Sequence, residues 1–271
     1  SVSMIQESSG GKKGGHPTTP TGGSMTNIQI PTSGLGNSGP NSSRNSGGMI
    51  NLLGQKGKRQ DDEKRNRWNT DDLKDDMVEK LKENIRKNVS QELYQKMFSF
   101  DARKQIEAIQ CLKKALVQEF QGTVDILDLI IRWLFFKLWD NSNMQIAKEA
   151  LDYVYNLVLA LEAAKTSLED FELNVLVPFL LQRLVQGHSN TKVTLYKIFQ
   201  KLGEVAYIQK VTSILVQNSQ SKNARIRDES LEVITVVVKE YKGESLAAKE
   251  IRILGKMLGH TDAIVRNHCF N

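Results

Sequence analysis

The sequence predicts an all-α fold, a stack of antiparallel helix hairpins behind a disordered linker. Three observations carry this. From about residue 73 onward, apolar residues recur at helical spacing. No stretch shows sustained strand alternation. Asp or Asn residues suited to capping helices recur at a regular distance, each followed by a similar short pattern.

The first part of the chain reads differently. Residues 1–67 are mostly Gly, Ser, Asn, Thr and Pro up to about residue 60, a composition that buries too little apolar surface to offset chain entropy. They are expected to form a disordered linker, with an ordered domain over 68–271. The "GLGNSG" stretch formally matches a dinucleotide fingerprint at Gly34, Gly36 and Gly39, but no strand precedes it and no helix follows. Residues 56–67, "KGKRQDDEKRNR", hold six cations and three acids. They read either as a solvated hinge or as a flexible basic contact for an acidic surface.

Bulk composition narrows the function classes. The chain has 271 residues and a net charge of +6. Its two cysteines, Cys111 and Cys269, give no disulfide framework and no metal spacing. Both fall on apolar-periodic stretches and are expected to be small buried hydrophobes. No apolar run approaches the roughly 20 residues that span a bilayer. These features suggest a reducing compartment, cytosolic or nuclear, with no membrane partner. The start at Ser1 and the stop at Asn271 inside a helical pattern suggest a piece of a longer chain.

The elements follow in order. "LKDDMVEKLKENIRKNV" (73–89) is expected to be a lead-in helix. Aligning the rest on its capping residues gives "DARKQIEAI" from Asp101, "NMQIAKEAL" from Asn143, "NTKVTLYKI" from Asn190, "NARIRDESL" from Asn223 and "DAIVRNHCF" from Asp262. Eight residues after each cap stands Ile109, Leu151, Ile198, Leu231 or Phe270. Seven after it, four of the five hold a small residue (Ala108, Ala150, Ser230, Cys269), and Lys197 is the exception. The caps lie 42, 47, 33 and 39 residues apart, the helix-pair period of HEAT and armadillo repeats. Each is preceded by a second helical stretch: "SQELYQKMFS", "TVDILDLIIRWLFFKLW", "FELNVLVPFLLQRLV", "YIQKVTSILVQ" and "LAAKEIRILGKMLG". Gly122, the "TSLED" turn at 166–170 and Gly243 punctuate the joins. Five hairpins then stack into an α-solenoid.

In such a stack the tight bends inside hairpins share one edge and the returns share the other. This bears on a puzzle in "SKNARIRDESLEV" (221–233): Lys222, Arg225 and Arg227 crowd a helix start, where the dipole disfavours positive charge by a few tenths of a kcal/mol each. Together with Arg103, Lys104, Asn141, Asn143, Lys192 and Arg266 they would form a positive strip suited to an acidic partner.

Other residues read as structural. Trp133 and Trp139, six apart on one helix, suit core and inter-helix packing, and Trp68 is expected to dock on the domain as a lid. Asp125 and Asp128 read as a solvated or salt-bridged face, not an acid–base pair. His260, His268 and Cys269 lack the fourth ligand and the geometry of a zinc site. No cofactor, no metal and no enzymatic activity are expected.

Three stretches carry a resemblance: "LDLIIRWLFFKLWDNSN" (127–143), "SKNARIRDESLE" (221–232) and "DAIVRNHCFN" (262–271), with "RNRWNTDDL" and "ELYQKMFSFDARKQIEAI" ahead of them. Over about 65–271 the chain resembles the TOG domains of the microtubule polymerase family that includes ch-TOG and minispindles, and is most similar to the fourth domain of that array. The resemblance implies a HEAT-repeat paddle, here truncated before its sixth pair, with no enzymatic activity. Its partner would be αβ-tubulin or the microtubule lattice, bound along the intra-repeat edge in support of microtubule growth and spindle organisation. Its location would be the cytoplasm and cytoskeleton, on microtubules, spindle and centrosome. Residues 56–67 would add contacts to acidic tubulin tails. The implied contacts are Phe100, Asp101, Arg103 and Lys104 in the first bend, and Asp140, Asn141 and Asn143 in the second. Asn190 and Lys192 follow in the third, Lys222, Asn223, Arg225 and Arg227 in the fourth, and Arg266 and Asn267 in the last.

One departure stands out. Tight-binding TOG domains place a tryptophan in the first bend, where this chain has "FDARKQ" with Ala102. Phe100 either substitutes for that anchor or packs on the core. Losing an aromatic anchor removes about 2 kcal/mol, roughly thirtyfold in affinity. The resemblance so modified implies weaker binding, to lattice-incorporated rather than free tubulin. "GHSNTK" in the third bend also matches the family poorly.

The rival reading is a generic HEAT or armadillo scaffold of the nuclear-transport or phosphatase type, holding a peptide in its concave face. The recurring polar signal sits at the bends and not in a groove, which favours the first reading. Nucleic acid is not an expected partner, because aromatics are not interleaved with the cations and +6 is modest.

Overall fold

The computed structural model describes residues 48–65, 74–139, 143–187, 189–257 and 259. Among them lie helices α1 (Lys56–Arg65), α2 (Asp75–Asn88), α3 (Gln91–Met97), α4 (Ala102–Gln118), α5 (Phe120–Asp125) and α6 (Leu127–Trp139). These are followed by α7 (Met144–Ala163), α8 (Asp170–Gln186), α9 (Ser189–Val205), α10 (Ile208–Asn218), α11 (Ala224–Tyr241) and α12 (Ala248–Met257). The described residues contain no strand, only a single antiparallel bridge between Ile50 and Val89.

The helices form two layers. One runs α4, α7, α9, α11; the other runs α6, α8, α10, α12, with α2 beside α6. Hairpins α3/α4, α6/α7, α8/α9 and α10/α11 link the layers, and α12 opens the fifth. The cap-based pattern explains the first layer. Ala108, Ala150 and Ser230, seven residues after their caps, are buried and let neighbouring helices approach. The next residues, Ile109, Leu151, Ile198 and Leu231, are buried in the shared core, each contributing about 1.5–3 kcal/mol of burial.

Side-chain pairs show that neighbours within a layer run parallel. Lys113 of α4 pairs with Glu149 and Asp152 of α7 at 2.7 and 2.6 Å. Lys201 of α9 pairs with Glu162 of α7 at 2.8 Å, and Lys192 at the start of α9 pairs with Glu229 early in α11. In the other layer Lys210 of α10 reaches Asp170 at the start of α8, 3.0 Å away. Parallel neighbours put every tight bend on one edge. The returns meet on the other, where Leu168 N donates to Val205 O at 2.7 Å and Gln209 Nε2 to Glu244 O at 3.2 Å.

The stretch from Thr123 to Trp139 departs from the single helix expected. The chain breaks at Ile126 (φ −110°, ψ 16°) between α5 and α6. Gly122 does not punctuate this join. It is buried inside α5, where a Cβ would stand 3.1 Å from Ile50 Cγ2, so the small residue is needed for close approach.

Ile50 belongs to the largest correction. Residues 48–65, expected within a disordered linker, form an ordered strap along the return edge. Glu119 accepts from Met49 N and Ile50 N at 2.9 and 3.0 Å, and Ser90 N donates to Met49 O at 2.9 Å. Gly54 N donates to Asp125 Oδ2 at 3.1 Å. In α1, Arg59 is buried and grips Asp128 through Nε and Nη2, both at 2.9 Å. Arg132 approaches the same carboxylate at 3.2 Å. Lys56 reaches Glu172 at 2.8 Å and Glu169 at 3.1 Å. Specific ion pairs, not apolar mass, hold the strap, which is why composition suggested disorder. The basic segment expected to be free for acidic tails therefore has Lys56 and Arg59 already engaged. Trp68 lies outside the described residues.

Candidate functional site along the edge of tight bends

In the first bend, Asp101 caps α4 by accepting from Arg103 N at 2.8 Å. Gln105 Nε2 donates to Ser99 O at 2.6 Å and closes the bend from inside. This closure turns Phe100 outward: it is fully exposed, and the alternative of core packing is excluded. Arg103 and Lys104 are exposed beside it.

In the second bend, Asn143 Oδ1 accepts from Gln145 N and Ile146 N at 2.9 and 3.3 Å, as its capping role predicts. Asp140 and Asn141 lie outside the described residues. The third bend differs from expectation. Helix α9 begins at Ser189, so Asn190 is inside the helix and not its cap; its side chain is outside the described residues. Lys192 is half-buried and ion-paired with Glu229, which also accepts from Tyr196 Oη at 3.3 Å. Its charge is thus neutralised within the fold.

The fourth bend accounts for its crowded cations in two ways. Asn223 caps α11, accepting from Arg225 N at 3.0 Å. Arg227 turns back, its Nη1 donating to Ser221 O and Lys222 O at 3.1 Å each, so it fastens the bend. Lys222 and Arg225 are exposed and make no ion pair among the described residues. Arg266, Asn267, His260, His268 and Cys269 lie outside the described residues.

Sequence reasoning missed Lys137, near the end of α6. Its ammonium lies 5.5 Å from the Phe136 ring centroid and 5.9 Å from those of Phe98 and Phe100. Burial, with Lys82 nearby, pushes it below the usual lysine range. No spacing rule reveals this, because the rings come from two different hairpins. Also exposed along this edge are Met144 and Val193.

Two other expectations concern structural residues. Trp133 is buried and donates Nε1 to Met97 O at 3.0 Å, a packing role as expected; the Trp139 side chain is outside the described residues. Among the described residues, no group of three or more His, Cys, Asp or Glu is placed to hold a metal, and no helix is long and apolar enough to cross a membrane. Cys111 is half-buried against the core. The edge combines helix caps, exposed cations and exposed apolar tips.

Known proteins share this architecture. Protein mini spindles of Drosophila melanogaster is 25% identical over 175 residues, covering 65% of this chain and 8% of its own length. Protein MOR1 of Oryza sativa subsp. japonica is 22% identical over 179 residues, 65% of this chain and 9% of its own. The chain thus spans less than a tenth of these relatives. A TOG domain structure from C. elegans Zyg9 has a TM-score of 0.70 at 22% identity, over 82% of this chain and 84% of that one. A solved structure described by the words "TOG-tubulin binding specificity promotes microtubule dynamics and mitotic spindle formation" has a TM-score of 0.71 at 22% identity, over 82% and 92%. These similarities establish the paddle-like HEAT fold. A profile of the family described as XMAP215/Dis1/CLASP, TOG domain, matches residues 114–271, more than half of the sequence. The chain belongs to the XMAP215/Dis1/CLASP family of TOG domains.

Proposed function

We propose that this chain is a non-catalytic module that binds αβ-tubulin along its edge of tight bends and supports microtubule growth. The observation that carries the reading is the sorting of charge on that edge. Arg103, Lys104, Lys222 and Arg225 are exposed without an ion pair among the described residues, while Lys192 and Arg227 are held internally. An acidic protein surface suits what remains exposed, and the family supplies tubulin as that surface. The contacts proposed are Phe100, Asp101, Arg103 and Lys104; Asp140, Asn141 and Asn143; Asn190; Lys222, Asn223 and Arg225; and Arg266 and Asn267, with Lys192 and Arg227 holding their bends in place.

The finer reading places the chain fourth in a polymerase array, acting in the cytoplasm on microtubules, spindle and centrosome. Phe100 in place of a tryptophan supports weaker binding and a preference for lattice over free dimers. Size-exclusion chromatography of the chain with tubulin at low salt, beside microtubule pelleting, tests this. Pelleting without stable co-elution is the expected result; the absence of both pelleting and co-elution would refute the proposal.

A further inference from the structure

We propose that Lys137, framed by Phe98, Phe100 and Phe136, anchors the edge by receiving a carboxylate fixed on the folded surface of tubulin. The inference rests on the tubulin-binding reading above and adds the contact that sets its strength.

Four other lysines facing neighbouring helices, Lys113, Lys192, Lys201 and Lys210, each meet a carboxylate. Lys137 is half-buried and meets none among the described residues. Another cation, Lys82, disfavours its charge, and that lysine is itself paired with Glu79, 2.6 Å away. The three rings, within 6 Å, hold the ammonium in place by cation–π attraction. The result is a positioned, partly desolvated cation with no counter-ion among the described residues. An arriving carboxylate finds a donor whose freedom is already restricted, which lowers the ordering cost of binding. The wholly exposed Phe100 ring flanks the ammonium, so a partner that takes the charge also covers the ring. A fixed carboxylate suits such a preset donor better than a mobile tail does.

Microtubule pelleting of the full chain tests the inference with K137M, F100A, the double variant, K137R and, as a charge control, K239M on the opposite edge. K137M is expected to weaken binding about tenfold and to flatten its salt dependence, while melting no lower than the parent. F100A is expected to weaken it comparably, and the double variant less than the product of the two, because both remove one contact. K137R is expected to retain most binding, and K239M to stay within about twofold of the parent. The K137M deficit is expected to persist on microtubules stripped of their acidic tails. Parent-like pelleting by K137M, a deficit that tracks a lower melting temperature, or one that vanishes on tail-less microtubules overturns the inference. Failure of the unmodified chain both to pellet and to co-elute with tubulin refutes the tubulin reading instead.

Discussion

At the residue scale, the caps were the legible part. Asp101, Asn143 and Asn223 each accept backbone N–H groups at helix starts, because a short polar side chain at an N-cap has one dominant use. Asn190 fails that rule because α9 starts at Ser189. Val193, three residues after Asn190, is exposed, whereas at the same offset Ile146 after Asn143 is buried and Ile226 after Asn223 is half-buried. Asp128 was legible only as a salt-bridged or solvated carboxylate; its burial between two guanidinium groups depended on a strap that composition concealed. That geometry makes an asymmetric prediction. Asp128→Ala leaves Arg59 and Arg132 buried without their shared acceptor and should cost about 3–5 kcal/mol. Arg59→Ala leaves Asp128 paired with Arg132 and should cost less, about 2 kcal/mol. Urea unfolding of both variants checks the order, and equal losses would contradict a shared carboxylate.

At the element scale, helices with strong apolar periodicity were readable and the strap was not. Ile50 is the sole buried apolar residue of 48–65, so no pattern could mark it. Its attachment is local, through Glu119, Asp125, Asp128, Glu169 and Glu172, and should therefore open locally. Replacing Lys56 and Arg59 by Ala should raise the rate of tryptic cleavage after the exposed Lys58 severalfold while α2–α12 stay protected; unchanged cleavage would mean the strap is held by something else. The α9–α11 contact offers a second test. A Cβ on Gly203 would lie 2.3 Å from Tyr241 Cζ, and the Tyr241 hydroxyl donates to Gln200 O at 2.5 Å. Burial, then Glu204, pushes Tyr241 up to about 12 from its usual 10.0. A phenol whose folded value is raised stabilises the fold below the unfolded value, and that contribution is lost as pH rises from 10 to about 12. Gly203→Ala should displace the ring, cost about 1–3 kcal/mol despite alanine's better helix propensity, and move Tyr241 back toward the ordinary tyrosine range in an ultraviolet absorbance titration.

At the scale of the whole molecule, the repeat period foretold the stacking, and parallel packing within each layer then fixed which edge gathers the bends. The remaining question is whether position or total charge governs binding. Lys222→Glu with Arg225→Glu removes four charge units from the tight-bend edge of a +6 chain. Lys239→Glu with Lys249→Glu removes the same four from the exposed return edge. If net charge alone mattered, both pairs would weaken microtubule pelleting equally. The edge assignment predicts a strong loss for the first pair, steepest at low salt because exposed charges are screened, and little for the second. The first pair carries a further signature. Arg225 and its neighbour Lys222 sit at the start of α11, where acidic residues are favoured by about 0.3–1 kcal/mol each. That variant should therefore melt at or above the parent temperature while binding less. Cations kept at the wrong end of a helix, at a cost to the fold, are then explained by what they hold outside it; a variant that lost stability and binding together would remove that explanation.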